Sequence, residues 1–325
     1  MLMKDDFAKQ IDPELAGIFQ YLPIMDQPGL DALGFQQRAM EIFAEAAAQI
    51  PTPVADPSVE IEDVYIDVPQ HRIQLRIYRP RDTGQDSLLP AIFWIHGGGF
   101  ILGSIEGDDV FCQQLCRNTG CLVASVEYRL VPQYTYPIPV DDCYAGLKWL
   151  CEHAEQLGID LDRVAVAGCS AGGCLAAAVA LRARDLQEIK LAAQLLIIPT
   201  LDDRCETVSA QTVTEPRVWN RSLSLMSWGA YLQDIEGEVP GYAAPGRAED
   251  LAGLPPAFVS AAELDLLRDE AIDYAQRLMQ AGVTTELKVY PGAFHGSYMF
   301  APNAGVSRRQ VTDIYAAAKR FFTSR

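Results

Sequence analysis

A series of short apolar runs, separated by stretches with helical character, most limits how this chain can fold. AIFWI (91–95) is apolar throughout, as expected of a strand buried on both faces. The strands predicted after it are CLVASVEY (121–128), RVAVAG (163–168), AAQLLII (192–198), PAFVSAA (256–262) and TELKVY (285–290). Helices are predicted between and after them at 108–119, 141–157, 171–185, 269–281 and 305–322. This alternation indicates an α/β fold with a mostly parallel central sheet and helices on both faces.

Three further segments complete the prediction. VEIEDVYIDV (59–68) and HRIQLRIYRP (71–80) alternate apolar and polar residues and form an antiparallel hairpin at a sheet edge. Residues 205–235 and 1–55 add no strand, so each is a candidate lid over a site, with ordinary packing against the sheet as the alternative. The expected apolar spacing in 1–55 falls at Leu15, Ile18 and Phe19 and then at Met40, Phe43 and Ala47.

Charge and cysteine usage exclude several classes of function. The chain has 26 Lys and Arg against 43 Asp and Glu, a net charge of −17, which disfavours binding to nucleic acid or to an anionic membrane. No apolar run approaches the length of a membrane span, and the N-terminus does not resemble a signal peptide, so we expect a cytoplasmic protein. The eight cysteines form no C-x-x-C pair and are expected to be free, mostly buried thiols. A zinc site is the alternative, but only His153, beside Cys151, lies near any cysteine, so no metal and no cofactor is predicted.

The motif Gly168-Cys169-Ser170-Ala171-Gly172 stands where a predicted strand meets a predicted helix. A sharp strand–turn–helix forces its middle residue into strained backbone angles and needs small neighbours. Ser170 is at the apex of this turn, whereas Cys169 comes one residue early and Cys174 one helical turn late. The sequence therefore favours Ser170 over either cysteine as the nucleophile.

A serine nucleophile needs a base, and the base needs an acid to orient it. His295 follows the last predicted strand, and loops at the carboxyl ends of parallel strands share one edge of the sheet, so His295 can meet Ser170 there. His71, His153 and His96 are better explained as surface residues or a loop anchor. Asp265 is the preferred acid, with Glu263 as the alternative, while Asp269 and Glu270 begin a helix, where carboxylates are commonly caps.

The stretch His96-Gly97-Gly98-Gly99-Phe100 follows the first buried strand. Its glycines allow backbone N–H groups to approach a ligand closely, and together with the N–H of Ala171 they are suited to form an oxyanion hole. A phosphate-binding loop is the alternative, but no G-K-[ST] follows.

These motifs together resemble the bacterial hormone-sensitive-lipase-like carboxylesterases, also called family IV. The resemblance rests on HGGGF (96–100), YRLVP (128–132), GCSAGG (168–173), ELDLLRDE (263–270) and YPGAFHG (290–296), and it covers nearly the whole chain. It implies an α/β-hydrolase fold and hydrolysis of short-acyl carboxylic esters, small-molecule substrates, without a metal. It also implies a triad of Ser170, Asp265 and His295 and an oxyanion hole of Gly98, Gly99 and Ala171.

The domain organisation follows from the same resemblance. Residues 1–55 are predicted as N-terminal cap helices, 56–204 as the first part of the catalytic core, 205–240 as a cap insertion and 241–325 as the second part of the core. Amidase, lactonase and acyltransferase activities use the same triad and stay open. Some relatives of this family bind hormones without catalysis, but such proteins typically lose the histidine that is present here as His295.

The chain departs from the usual family pattern at several positions. Cys169 stands where many members have Asp or Thr, Gln133 where Glu is usual, Leu266 where Pro is usual and Ser297 where Phe is usual. None of these changes removes a catalytic atom, so they bear on substrate preference and pH optimum. The branch that lacks the proline often forms homodimers, so the resemblance leaves a homodimer open.

Overall fold

The predicted strands form one mixed sheet in the computed structural model, which describes residues 4–27, 29–47, 55–81 and 88–323. The predicted segments also include residues 1–3, 28, 48–54, 82–87 and 324–325, and these lie outside the described residues. Within them the strands are β1 (Val59–Val68), β2 (His71–Pro80), β3 (Leu89–Ile95), β4 (Leu122–Val126), β5 (Ile159–Cys169), β6 (Ala193–Ile197), β7 (Ala257–Leu264) and β8 (Thr285–Phe294). Their order is β1-β2-β4-β3-β5-β6-β7-β8. Strands β1 and β2 form an antiparallel hairpin, and β2 also pairs antiparallel with β4. The strands from β4 through β3, β5, β6 and β7 to β8 are all parallel to one another.

The helices also follow the predicted alternation. They are α1 (Lys4–Gln10), α2 (Pro13–Phe19), α3 (Ala32–Ala47), α4 (Ile105–Thr119), α5 (Ile138–Glu152), α6 (Ala154–Leu157), α7 (Ala171–Leu186), α8 (Val208–Thr212), α9 (Arg221–Tyr231), α10 (Arg268–Gln280), α11 (Ser297–Phe300) and α12 (Gly305–Thr323). The predicted helix at 141–157 is two helices, because the backbone leaves helical geometry at His153. The second of them, α6, ends at Gly158, which has a left-handed conformation. Helix α4 begins earlier than predicted, since the Ser104 side chain caps it by accepting from Gly107 N.

The all-apolar strand β3 divides the interior into two cores. Ala91, Phe93 and Ile95 pack in the core that contains α5, α7 and α10, whereas Ile92 and Trp94 pack in the core that contains α4 and α12. Alternate side chains of a strand point to opposite faces, so a strand covered by helices on both sides must be apolar at every position. This finding confirms the prediction that AIFWI is buried on both faces.

The segment before the sheet is helical as predicted, but its second apolar stripe differs from the prediction. Helix α3 buries Phe35 and Ala39, whereas Met40 is 62% and Phe43 50% exposed. The helix advances by about 100° per residue, so Met40 points about 140° away from Phe35, whereas Phe43 lies one turn beyond Ala39 on nearly the same side and is exposed there. In α2 the predicted spacing is correct at Leu15 and Phe19, which are buried. None of the helices in the described residues is long and apolar enough to cross a membrane.

Candidate active site

The carboxyl ends of the parallel strands bring the predicted site residues to one edge of the sheet. Ser170 directly follows β5, Asp265 follows β7 and His295 follows β8. Leu264 of β7 pairs with Phe294 of β8, so the next residue of each strand, Asp265 and His295, stand side by side. The strand register therefore aligns two residues that are far apart in the sequence.

Ser170 occupies the apex of a strained turn between β5 and α7. Its backbone angles are φ 55° and ψ −118°, a conformation that residues other than glycine rarely adopt. The turn is closed so tightly that a Cβ on Gly172 would lie 2.1 Å from the carbonyl oxygen of Ile95. Only glycine fits at this position, which is the reason for the small residues of the motif.

A chain of hydrogen bonds links the three polar side chains. His295 Nε2 is 3.0 Å from Ser170 Oγ, and His295 Nδ1 is 2.7 Å from Asp265 Oδ2. Asp265 is 1% exposed, and its other oxygen, Oδ1, accepts from Leu267 N at 3.0 Å. Glu263, the alternative acid, instead accepts from Gly292 N at 2.8 Å and makes no hydrogen bond to His295. The structure thus brings Asp265, and not Glu263, to the imidazole.

The three backbone N–H groups predicted for the oxyanion hole belong to the segments that follow the neighbouring strands β3 and β5. Gly98 and Gly99 have positive φ angles of 114° and 62°, and none of the backbone hydrogen bonds among the described residues uses their amide hydrogens. Ala171 is the first residue of α7, so its N–H has no acceptor within the helix and lies at the positive end of the helix dipole. The arrangement is suited to bind developing negative charge on an oxygen.

The cysteines beside the serine belong to the core. Cys169 is buried, and its sulfur lies beside the Tyr298 hydroxyl. Burial, with the carboxylate of Asp108 nearby, raises the pKa of the Cys169 thiol well above its ordinary value, and burial does the same for Cys174. Neither thiol forms the thiolate that a cysteine nucleophile needs. All eight cysteines lie in the described residues and are free, as predicted.

The remaining histidines lie away from this chain of hydrogen bonds. His96 is buried, its ring stacks on Tyr128, and burial lowers its pKa to about 4, so it is a neutral anchor of the glycine loop. His71 begins β2, and the ring of His153 stacks on Trp149. Among the described residues no group of three or more His, Cys, Asp or Glu side chains is placed to hold a metal ion.

Asp269 and Glu270 lie in the first turn of α10, as predicted, and their carboxylates also bind backbone N–H groups outside that helix. Asp269 accepts from Ser209 N at 2.7 Å and so ties the start of α10 to α8. Glu270 is buried and accepts from Leu201 N at 2.6 Å, and burial raises its pKa well above the usual range of a glutamate. Asp269 thus holds α8 and Glu270 holds the loop after β6, two contacts that a helix-start pattern in the sequence does not reveal.

Trp219, an aromatic residue of the candidate lid segment 205–235, lies at the site. Its indole lies so close to Gly99 that a Cβ there would be 2.4 Å from the ring, and its ring centroid is 6.5 Å from that of His295. Trp219 also contacts Phe35 of α3, with ring centroids 6.2 Å apart.

A family model described as an alpha/beta hydrolase fold matches residues 92–299, which include the glycine loop, Ser170 and His295. The chain is an α/β-hydrolase. The sheet order and the site at its carboxyl edge agree with this membership, and the predicted fold class is confirmed.

Relatives of this α/β-hydrolase include named esterases. It is 36% identical over 277 residues to esterase LipI of Mycobacterium tuberculosis, covering 84% of this chain and 86% of the relative. It is 34% identical over 312 residues to an arylesterase of Saccharolobus solfataricus, covering 94% of this chain and 97% of the relative. A solved structure of a bacterial heroin esterase superposes with a TM-score of 0.89 at 42% identity, covering 97% of this chain and 99% of that chain. The predicted family and reaction class are confirmed: this α/β-hydrolase is a carboxylic ester hydrolase.

Proposed function

We propose that this enzyme hydrolyses short-acyl carboxylic esters through an acyl-enzyme on Ser170. His295 acts as the general base and Asp265 orients it. The observation that carries the proposal is the continuous chain of hydrogen bonds from the buried Asp265 through both nitrogens of His295 to Ser170 Oγ.

The proposed acylation step uses this chain in sequence. Ser170 Oγ attacks the ester carbonyl carbon while His295 Nε2 takes the hydroxyl proton. Asp265 accepts the Nδ1 hydrogen, keeps Nε2 free to act as a base and stabilises the imidazolium that forms. His295 then gives its proton to the leaving alcohol oxygen, and the ester C–O bond breaks.

The oxyanion hole supports both halves of the reaction. The N–H groups of Gly98, Gly99 and Ala171 stabilise the negative oxygen of each tetrahedral intermediate. Water then attacks the acyl carbonyl with His295 as its base, and the acid and free Ser170 are released. No step requires a metal or a cofactor.

The preference for short acyl groups is supported by the walls around the reacting atoms. Ser170 is only 7% exposed, and the Trp219 indole lies against Gly99 and near His295. Small acyl groups fit such a confined site without displacing these rings.

Rates on p-nitrophenyl esters from acetate to palmitate test the substrate class. We expect the highest kcat/KM on the shortest chains. Ser170→Ala should lower kcat by about four to six orders of magnitude while the protein stays folded. A fluorophosphonate probe should label Ser170, and recovery of the label on Cys169 or Cys174 would contradict the assignment. A p-nitroanilide in the same panel detects amidase activity.

The finer predictions on cellular context are part of the same proposal. The eight free thiols favour a reducing compartment such as the cytoplasm. The homodimer and the absence of nucleic-acid and membrane partners stay predictions from the resemblance and from the net charge of −17.

A further inference from the structure

The loop that carries the oxyanion donors is held through its backbone carbonyls. Every backbone carbonyl from His96 to Ile101 accepts at least one hydrogen bond. His96 O accepts from the Tyr128 hydroxyl, Gly97 O from His96 Nδ1, and Gly98 O from both Ile101 N and Leu102 N. Gly99 O accepts from Ser227 Oγ, Phe100 O from Val131 N, and Ile101 O from Gln36 Nε2. Two of these donors come from segments outside the sheet and its covering helices. Ser227 on α9 donates to Gly99 O at 2.5 Å, and Gln36 on α3 donates to Ile101 O at 2.7 Å.

Gly99 has two contacts with the insertion at once. Its carbonyl accepts from Ser227, and the Trp219 ring occupies the space that a side chain at position 99 would need. Ser227 is buried at 3% exposure and lies 128 residues from Gly99 in the sequence. The insertion therefore holds the middle of the loop on both the carbonyl and the α-carbon side of Gly99.

The neighbouring carbonyl is held in a different way. Gly98 O accepts from Ile101 N and Leu102 N, which belong to the same loop. Those two bonds fix the turn internally and move with it, so they do not fix its place relative to Ser170. Ser227 and Trp219 belong to another element, so they anchor the loop from outside.

Such an anchor matters because of the three consecutive glycines. Glycine has the largest conformational freedom of any residue, so a Gly-Gly-Gly stretch does not by itself keep its N–H groups in one direction. Oxyanion donors are effective only when they already point at the position that the negative oxygen will occupy. The Ser227 hydrogen bond fixes the peptide between Gly99 and Phe100. This restraint limits rotation of the preceding peptide, between Gly98 and Gly99, which carries the Gly99 N–H.

We propose that Ser227 is a positioning residue for the oxyanion hole, acting through the Gly99 carbonyl. The oxyanion hole is then complete only when α9 is docked on the glycine loop. Helix α9 contributes to transition-state stabilisation as well as to the walls of the pocket. This inference rests on the proposed function, since it assumes that Gly99 N–H binds the reacting carbonyl oxygen.

Ser227→Ala tests the proposal on the full-length enzyme with p-nitrophenyl acetate or butyrate. Removal of an oxyanion donor costs about 10²–10³ in kcat, and a donor that is only loosened should cost less, so we expect kcat to fall by about 10- to 100-fold. KM should change by less than about threefold, because the interaction strengthens in the transition state. A trifluoromethyl ketone, which forms a tetrahedral oxyanion adduct with the serine, should lose affinity by a factor similar to that in kcat.

The matched control is Ser222→Ala, the same substitution on the same helix at an exposed side chain. It should leave kcat and inhibitor affinity within about twofold of the wild type. Ser227→Thr keeps a hydroxyl and should retain most of the kcat, whereas Ser227→Cys supplies a weaker donor and should fall between Thr and Ala. Thermal melts of each variant establish that it is folded.

Several results would overturn the proposal. They are a folded Ser227→Ala enzyme with kcat within threefold of the wild type, a loss confined to KM, or a loss of kcat without loss of ketone affinity. If Ser227→Ala does not fold, equal kcat values for the wild type, Ser227→Thr and Ser227→Cys would refute it. Failure of the proposed function has a different signature, since Ser170→Ala would then be as active as the wild type.

Discussion

Replacing Asp265 by asparagine tests the assignment of the acid, and the structure gives a specific reason for the loss. Asp265 Oδ1 accepts from Leu267 N at 3.0 Å, and Oδ2 faces His295 Nδ1 at 2.7 Å. The asparagine oxygen should keep the bond to Leu267 N, because an NH₂ group cannot accept. The NH₂ group must then face Nδ1 and donate to it.

This rearrangement places the imidazole hydrogen on the wrong nitrogen. If Nδ1 accepts from the asparagine, the hydrogen resides on Nε2, which lies 3.0 Å from Ser170 Oγ. Nε2 then cannot take the serine proton. We expect kcat to fall by about 10³–10⁴, equivalent to about 4–5.5 kcal/mol of transition-state stabilisation.

Glu263→Gln is the matched control, since it makes the same carboxylate-to-amide change two residues away. Glu263 Oε2 accepts from Gly292 N at 2.8 Å, and an amide oxygen accepts that bond equally well. Its kcat should stay within about threefold of the wild type. The assay is kcat and KM on p-nitrophenyl acetate for both variants, with circular dichroism melts to establish folding. Equal losses in the two variants, or a larger loss for Glu263→Gln, would refute the reasoning.

Three further predictions follow from the surroundings of the site. Burial raises the pKa of Asp108 to about 6 from 3.8, so the ionised carboxyl destabilises the folded state as pH rises from 3.8 through 6. Asp108→Asn should therefore increase the free energy of unfolding at pH 8 by roughly 2–3 kcal/mol and should give no increase below pH 3.8. Cys169→Thr should keep kcat/KM within about tenfold, under about 1.4 kcal/mol, because the buried thiol lies beside Tyr298 and is not part of the hydrogen-bond chain from Asp265 to Ser170. Deletion of residues 1–35 should lower kcat/KM by at least about tenfold or shift the chain-length preference. The reason is that the ring of Phe19 packs on the ring of Phe294, the residue before His295, with their centroids 5.6 Å apart.

Each of the three has its own control. Denaturant unfolding of the wild type and Asp108→Asn across pH 3.5–8 measures the first, and a pH-independent difference would show that desolvation of the carboxylate is not the cause. A thousandfold loss in Cys169→Thr with an unchanged Tm would give that residue a direct catalytic role. For the deletion, far-UV circular dichroism checks the sheet, and unchanged kinetics over the whole ester panel would exclude the N-terminal segment from the site.

Much of the fold could be predicted because the information is local. An apolar run such as AIFWI (91–95) buries all of its side chains only when both faces of the strand are covered. The two cores on either side of β3 cover both faces. The strained turn at Ser170 permits few residue types, so its motif is readable without the rest of the structure. The places of Asp265 and His295 follow from strands that end at one edge.

Tertiary packing decided details that the local pattern left open. Met40 and Phe43 fit a helical apolar spacing, but both are exposed, and α3 buries Phe35 and Ala39 instead. Asp269 and Glu270 lie in the first turn of α10, as predicted, but their bonds to the backbone N–H groups of Ser209 and Leu201 carry no local signal. Periodicity shows which residues share a face and does not show which face the rest of the protein covers.

The sequence by itself determined the order of strands and helices along the chain, the glycines of the turn and the oxyanion loop, and Ser170, His295 and the two candidate acids Asp265 and Glu263 at one edge. Only the tertiary structure decided that Asp265 and not Glu263 reaches the imidazole, since that depends on the register of β7 against β8. It also decided that Ser227 holds Gly99 across 128 residues of chain. A hydrogen bond of this kind depends on how two separately formed elements dock, and a serine on an amphipathic helix carries no local pattern that marks its partner.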